Sequence, residues 1–532
     1  MRKILLYISI SSVFLGACTK NFTSVNTNPT EANASNFDPN LLLPTSEIGY
    51  VQGIQGYSGA LLFQSMWIQI FASAEYPTYY SNGDKYVASS NLLTYDASLW
   101  NDLYTSAGYD HTIQTLAKGN SSLTNLSAIS EIMELLNIQA ITDAYGDCPF
   151  SEALQATSGV EYPVYDKQQA IYTAMLSKLD SAISALNTSL ATPTNDAIYG
   201  GSIAQWKKFG YSLMLRMAMR LTKADATTAQ TYAEKAYAGG TFASNSDNAY
   251  LKFDNTDGYS NSNSSALVVP EDYVEVRWGK YLIDYLKANS DPRLPVIAEI
   301  PQAGLANAAV ESLAGDNTVS KQNGMPNGYD ENGGTTDISN APGYPGSTGT
   351  GSDVNPTGNY SRPVTSLYLG LSAPGFILTY AETELLLAEA AVRGWNVGSA
   401  ATHYANGLAG ALQTYGTFNS TTPISAATAT AYATANPLDQ SSTANSLAQI
   451  NTQYWVTTGT LFNFVEAWNN WRRSGYPVLT PVNYTGNFTS GTIPRREIYP
   501  VGEATSNPAN YKTAVSGLTG GDAWTSKVWW DQ

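Results

Sequence analysis

The chain of 532 residues carries 27 basic against 43 acidic side chains, a formal charge of -16, and only 13% of its residues are charged. It has no basic patch or polybasic run of the kind that grips a phosphate backbone or an anionic bilayer, so nucleic-acid binding is set aside. Two histidines, His111 and His403, and two cysteines, Cys18 and Cys148, argue against zinc chemistry, histidine-dependent triads and a disulfide framework. With so few charges, Ser, Thr, Asn, Gly and Tyr must cover much of the surface. Tyrosine stands out, at 36 against 14 phenylalanines; its apolar face and polar tip suit contact surfaces and sugar stacking.

The first element is Met1-Arg2-Lys3, a basic start, followed by an apolar run from Ile4 to Leu15 and the small residues Gly16 and Ala17. This reads as a secretory signal over residues 1–17, too short for the roughly 20 apolar residues that a membrane span needs. Cys18 directly after Leu15-Gly16-Ala17 resembles the lipobox of bacterial lipoproteins. That resemblance implies a lipidated Cys18 as the first residue of the mature chain, held to a membrane by its acyl groups alone. The polar stretch that follows, 18–45, is expected to be a tether or extended arm. Residues 46–532 are expected to form a single domain, long enough to bury a large core.

Helical patterns dominate from there. Leu61 to Phe71 is apolar nearly all round and predicts a buried helix. Ser130–Tyr145 and Gln168–Leu186 carry apolar residues at helical spacing. Trp206-x2-Phe209-Gly210-x2-Leu213 follows the opening pattern of a tetratricopeptide unit, with a partner helix over Ala226–Gly239. Tyr250-Leu251-Lys252-Phe253 alternates and allows a minor hairpin. The region from about 302 to 363, rich in Gly, Asn, Ser, Thr and Pro, is expected to be a long irregular excursion. Its Asp330, Asn332 and Asp337 could offer oxygens to calcium, but their spacing fits no EF-hand loop and solvated turn residues explain them better. Glu382–Gly394 places Ala388, Ala390 and Ala391 on one face, and Ala400, Tyr404 and Gly407 on the partner helix complete a second repeat-like pair.

Several stretches together resemble the SusD/RagB family of surface nutrient-binding lipoproteins, in its SusD-like branch. They are Asp143-Ala144-Tyr145-Gly146-Asp147-Cys148-Pro149-Phe150-Ser151-Glu152-Ala153-Leu154; the Thr383–Gly394 helix; Glu466-Ala467-Trp468-Asn469-Asn470-Trp471-Arg472-Arg473-Ser474-Gly475-Tyr476-Pro477; Ile493-Pro494-Arg495-Arg496-Glu497-Ile498-Tyr499-Pro500; and the closing Thr525–Asp531. Cys148 occupies a variable slot of the first motif, which weakens any catalytic reading of its thiol. Arg472, Arg473, Arg495 and Arg496 are expected to pair with carboxylates or helix ends inside the fold.

The resemblance implies a mainly α fold on about four tetratricopeptide-like helix pairs, with further helices, long loops and minor β structure. It also implies an outer-membrane location facing the cell exterior, and a SusC-like TonB-dependent transporter over which the protein acts as a lid. The ligand would be an oligosaccharide or peptide, bound without bond breaking, and no cofactor or catalytic residue is expected. Ligand contacts are sought among aromatic residues in polar, loop-like settings: Tyr76, Tyr79, Tyr80 and Tyr86, then Trp278, Tyr329 and Tyr344. Two other classes fit the composition. A helical glycoside hydrolase would need a pair of carboxylates that the sequence does not single out. A lipid-anchored repeat adaptor would bind proteins and no small ligand.

Overall fold

The computed structural model describes residues 37–75, 79–88, 95–301, 314–346, 355–418 and 424–532. The signal segment, Cys18, most of the expected arm and Tyr76 lie outside them. The compact unit runs from Asn40 to Gln532, and its first long helix, Leu43–Ile54, begins inside the stretch expected to be arm.

Helix hairpins form the frame. Ser98–Ala117 packs on Thr124–Tyr145, Ile203–Arg220 on Ala226–Gly239, Tyr380–Val392 on Ala400–Thr414, and Thr443–Thr460 on Phe464–Ser474. Gln168–Ala185 lies against both Thr124–Tyr145 and Ile203–Arg220 and joins the first hairpin to the second. Local chemistry sets the ends. The Asp225 carboxylate accepts from the Thr228 amide at 3.0 Å and caps Ala226–Gly239. Thr379 and Glu382 form a reciprocal capping box at the start of Tyr380–Val392. The four strand pairings among the described residues are short, two-stranded and antiparallel.

Two expected elements differ. Leu61–Phe71 is as buried as expected, but it is not one helix: a π-turn at Tyr57–Leu61 leads to a four-residue helix, Gln64–Trp67, and then to the strand Phe71–Ala72. Gln69 takes a left-handed φ of 58°, and the Gly279 amide donates to the Ile70 carbonyl at 2.8 Å, drawing the backbone out of the helix toward Arg277–Trp278. Ala249–Lys252 is a strand, but its partner is the distant Pro374–Leu378 rather than a neighbouring hairpin arm.

The family-like motifs converge on one buried polar network. Arg220 bonds Asp143 at 3.1 Å and pairs with Glu466, whose other oxygen accepts from the Tyr454 hydroxyl at 2.6 Å. Arg473 grips both oxygens of Glu389 at 2.6 Å. Arg472 donates to the Asp143 and Arg495 carbonyls at 2.7 and 2.9 Å and lies 3.5 Å over the Trp468 ring. Arg495 reaches Asp531 and Arg496 reaches Asp522. The four arginines therefore serve the interior, as expected. A guanidinium so placed is stabilising only while its partners stay, because an unpaired buried charge costs about 3–5 kcal/mol. Cys148 is fully buried, and burial pushes its thiol up to about 12, far from a reactive thiolate.

The excursion is ordered where it is described. Met325, Ile338, Ala341, Tyr344 and Tyr360 build a small satellite core with Ala72 and Ala74. Asp330 and Asp337 are buried rather than solvated. Asp330 accepts from the Asn332 amide at 3.0 Å and the Thr336 hydroxyl at 2.9 Å. Asp337 accepts from the Gly333 amide at 2.8 Å and the Ser339 amide at 2.9 Å. Their oxygens hold the turn.

Candidate ligand-binding site

A tyrosine platform stands where three separate segments meet. Tyr57 opens the π-turn after the first helix, Tyr79 opens the short helix Tyr79–Lys85, and Tyr95 precedes Ser98–Ala117. Their ring centroids lie 5.5 Å (Tyr57–Tyr79), 5.5 Å (Tyr57–Tyr95) and 6.1 Å (Tyr79–Tyr95) apart, in edge-on and tilted contacts. Tyr79 is 36% exposed and the other two are half-buried, so solvent reaches the group. Tyr80 closes it from below, 5.9 Å from Tyr57 and fully buried.

The backbone under the platform is held firmly. Gly56 turns the chain with a φ of 100°, and its amide donates to the Asn263 side chain at 2.8 Å. Gly83 lets the Tyr79–Lys85 helix press against the preceding segment, since a Cβ there would sit 1.9 Å from the Leu62 carbonyl oxygen. Beneath that helix, Asp84 accepts from the Gly328 amide at 2.7 Å and from the Asn327 amide group. Lys85 donates to the Ser73 carbonyl at 3.0 Å and lies 3.7 Å from Asp84. Burial pushes Asp84 up to about 6 although Lys85 pulls the other way, and burial lowers Lys85.

The helix Pro270–Glu275 borders the platform with carboxylates. Asp272 is half-buried and Glu271 exposed. Asp272 and Glu275 act electrostatically on the Tyr57 and Tyr80 hydroxyls. Burial first, then the neighbouring charges of Glu271 and Glu75, pushes Asp272 up to about 6.

Two further concave surfaces carry aromatic residues. A cavity of about 510 Å³ is lined by Tyr281, Tyr329, Asn327, Asn483 and the Lys280–Asp284 pair. Another, of about 590 Å³, is walled by Trp100, Tyr104, Pro149 and Glu503.

Of the residues singled out by sequence, Tyr79 lies on the platform and Tyr329 lines the 510 Å³ cavity. Tyr76 falls outside the described residues. Tyr80, Tyr86 and Trp278 are withdrawn into the core, each 0% exposed, which corrects their placement in open loops. Trp278 packs 4.7 Å from Phe71 and donates its indole N–H to the Ile297 carbonyl at 3.0 Å. Tyr86 sits at a left-handed φ of 56° with its ring turned inward. Tyr344 is buried in the satellite core, where its hydroxyl accepts from Asn359 at 3.1 Å. Sequence reasoning missed Tyr57, Tyr95, Glu271 and Asp272. The criterion of an aromatic in a polar turn would have found Tyr57 in Gln55-Gly56-Tyr57-Ser58-Gly59.

This architecture belongs to a class of outer-membrane-associated helical proteins. The family described as SusD-like, "starch-binding associating with outer membrane", matches residues 47–500, and the chain belongs to it. Among solved structures, a chitin-binding protein is 30% identical with a TM-score of 0.78, the alignment covering 93% of this chain and 100% of that one. A SusD-like protein of Bacteroidetes AC2a is 24% identical, with a TM-score of 0.78 and coverage of 93% and 100%. A chitin-binding SusD homologue from Flavobacterium johnsoniae is 21% identical, with a TM-score of 0.72 and coverage of 92% and 98%. The last two likenesses show the fold. A comparison with curated proteins finds no match. Among the described residues, no helix is long and apolar enough to cross a membrane.

Proposed function

We propose that this protein is a lipid-anchored glycan-binding lid of an outer-membrane uptake system. In this reading Cys18 carries the lipid, and the tyrosine platform holds a sugar chain on the exterior face. A SusC-like TonB-dependent transporter receives that chain, and no bond is broken by this protein. The observation that carries the reading is the exposed edge of Tyr57, Tyr79 and Tyr95 on a rigid base. Such rings stack on the apolar faces of pyranoses, and their hydroxyls serve as donors and acceptors for sugar hydroxyls. The chitin-binding name of the 30% identical relative supports an N-acetylglucosamine chain as the ligand in preference to a peptide. Tyr329 and the 510 Å³ cavity offer a second place along such a chain.

Calorimetric titration with N-acetylglucosamine oligomers, with maltooligosaccharides as the comparison, tests the platform. Replacing Tyr57, Tyr79 and Tyr95 together with Ala is expected to weaken chitooligosaccharide binding by more than about tenfold. Unchanged affinity would remove the platform as the site. Recovery of a large TonB-dependent barrel in near-equal amount, on mild-detergent isolation of the native lipidated protein, is the expected result for the lid role. Recovery of the protein alone would reject it.

A further inference from the structure

The platform carries a charge that a neutral sugar leaves unanswered. Glu75, ahead of the Tyr79–Lys85 helix, and Glu271 and Asp272, on Pro270–Glu275, bring three carboxylates to the neighbourhood of the tyrosines. Among the described residues none of the three has an ion-pair or hydrogen-bond partner, and the charged groups acting on Asp272 are Glu271 and Glu75, both of its own sign. Other carboxylates of the molecule do meet lysines and arginines, as in Lys167–Asp147, Lys208–Asp247 and Arg473–Glu389. Partial burial, and then repulsion from its neighbours, hold Asp272 up at about 6, so a cation arriving beside it relieves an existing cost.

A second, independent observation comes from Tyr80. Its side chain is 0% exposed, its hydroxyl has no hydrogen-bond partner, and that hydroxyl lies in the field of Asp272 and Glu275. A buried hydroxyl left without a partner costs about 1–3 kcal/mol. Here it leaves an unused donor and acceptor directly beneath the platform. Above it, the rings of Tyr57, Tyr79 and Tyr95 meet edge-on and tilted at 5.5 to 6.1 Å. Ring faces grouped in this way attract a cation through their quadrupoles, and adjoining carboxylates strengthen the attraction.

We infer that the platform selects a sugar chain bearing free amines, that is, glucosamine units within a partly deacetylated chitin-type polymer. The ammonium groups are placed against Glu271 and Asp272, and the sugar rings lie on the tyrosines. This rests on the carbohydrate reading above and adds its charge. A repeating amine on a sugar backbone suits the arrangement because several carboxylates, Glu271 and Asp272 with Glu75 near them, stand beside the rings. The overall charge of -16 favours the approach of such a polycation.

The test compares a hexamer of N-acetylglucosamine with its deacetylated counterpart, titrated into the full-length mature protein at about pH 6, where the amines are protonated. The expected result is tighter binding of the deacetylated hexamer, on the order of tenfold at low salt, with the advantage fading at about 0.5 M salt. In a Glu271→Gln, Asp272→Asn variant the ratio of the two affinities is expected to fall to about one. These replacements are near-isosteric, at one exposed and one half-buried position. Folding of the variant is checked by its circular dichroism and melting temperature.

Equal or weaker binding of the deacetylated hexamer, with the acetylated one still bound, overturns the charge inference and leaves the carbohydrate reading standing. Binding of neither hexamer overturns both. An advantage that survives in the double variant shows that other groups supply it and overturns the assignment to Glu271 and Asp272. A lysine-bearing peptide that binds more tightly than either sugar, with the same dependence on Asp272, overturns the sugar class.

Discussion

The helical frame and the tyrosine platform use charge in opposite ways. In the frame, Arg473 meets Glu389, Arg220 meets Asp143 and Glu466, and Arg495 meets Asp531, all away from water. At the platform, Glu271 is exposed and Asp272 half-buried beside aromatic rings, and among the described residues neither has an arginine or lysine partner. Paired buried charges penalise any rearrangement that separates them, because it strands an ion in an apolar medium. Carboxylates without partners, beside tyrosines that solvent reaches, contribute little to folding and are available to a ligand. The same residue types thus hold the structure in one region and recognise a ligand in the other.

The contrast can be broken most severely at Arg473. Replacing it with Ala leaves Glu389 buried without its main partner, and the expected loss is about 3–5 kcal/mol of unfolding free energy, read by chemical denaturation. A loss below about 1 kcal/mol would mean that the network is not what holds the helices.

A smaller effect is expected from pH. Burial alone would raise Glu389, but Arg473 and Arg393 hold it well below its ordinary range. Its stabilisation is therefore present above the unfolded carboxylate value and is lost as the pH falls toward the folded one. Glu47 is the reverse case: burial and the nearby Asp196 raise it well above its ordinary value. Its contribution is full at low pH and declines as the pH rises from the unfolded value through the folded one. Glu47→Gln is expected to flatten the profile above the ordinary carboxylate value, and Glu389→Gln to flatten it below that value. Two identical profiles would contradict the assignment.

Asp225→Ala, which removes a helix cap without touching either region's charges, is expected to cost about 1 kcal/mol. Tyr79→Ala is expected to change stability least, by about 0.5 kcal/mol or less, because its ring is partly in water. It separates the two regions most cleanly when melting temperature and ligand affinity are measured on the same preparation.

The frame was largely legible in the sequence. Ala226–Gly239 occurs with the limits expected, and Gly407 allows the close helix contact that its spacing implied, since a Cβ there would lie 2.9 Å from Leu385. Helical spacing is local information, and the arginine motifs announced partners. The break within Leu61–Phe71 was not legible, because it is imposed by Gly279 and the strand beside it, far along the chain.

The platform was legible only at Tyr79. The segment after Tyr76 reads as a loop, yet from Tyr79 it is a helix. Neighbouring residues on a helix point about 100° apart, so Tyr79 faces water while Tyr80 faces the core. Tyr57, Tyr95 and Asp272 join Tyr79 only through tertiary packing, which no local pattern encodes.

The contact between Trp530 and Asp143 ties the last residues of the chain to the end of the Thr124–Tyr145 helix. The indole N–H of Trp530 donates to Asp143 at 2.8 Å, bridging 387 positions of sequence. Arg472 packs between the same indole and Trp468, 4.7 and 3.5 Å from their centroids. A chain emerging from the ribosome has made Asp143, Arg220 and Glu466 before Trp530 arrives. Until then the acid lacks one of its donors and the guanidinium one of its aromatic lids. Trp530 is thus part of the core, and a chain shortened before it lacks both contacts.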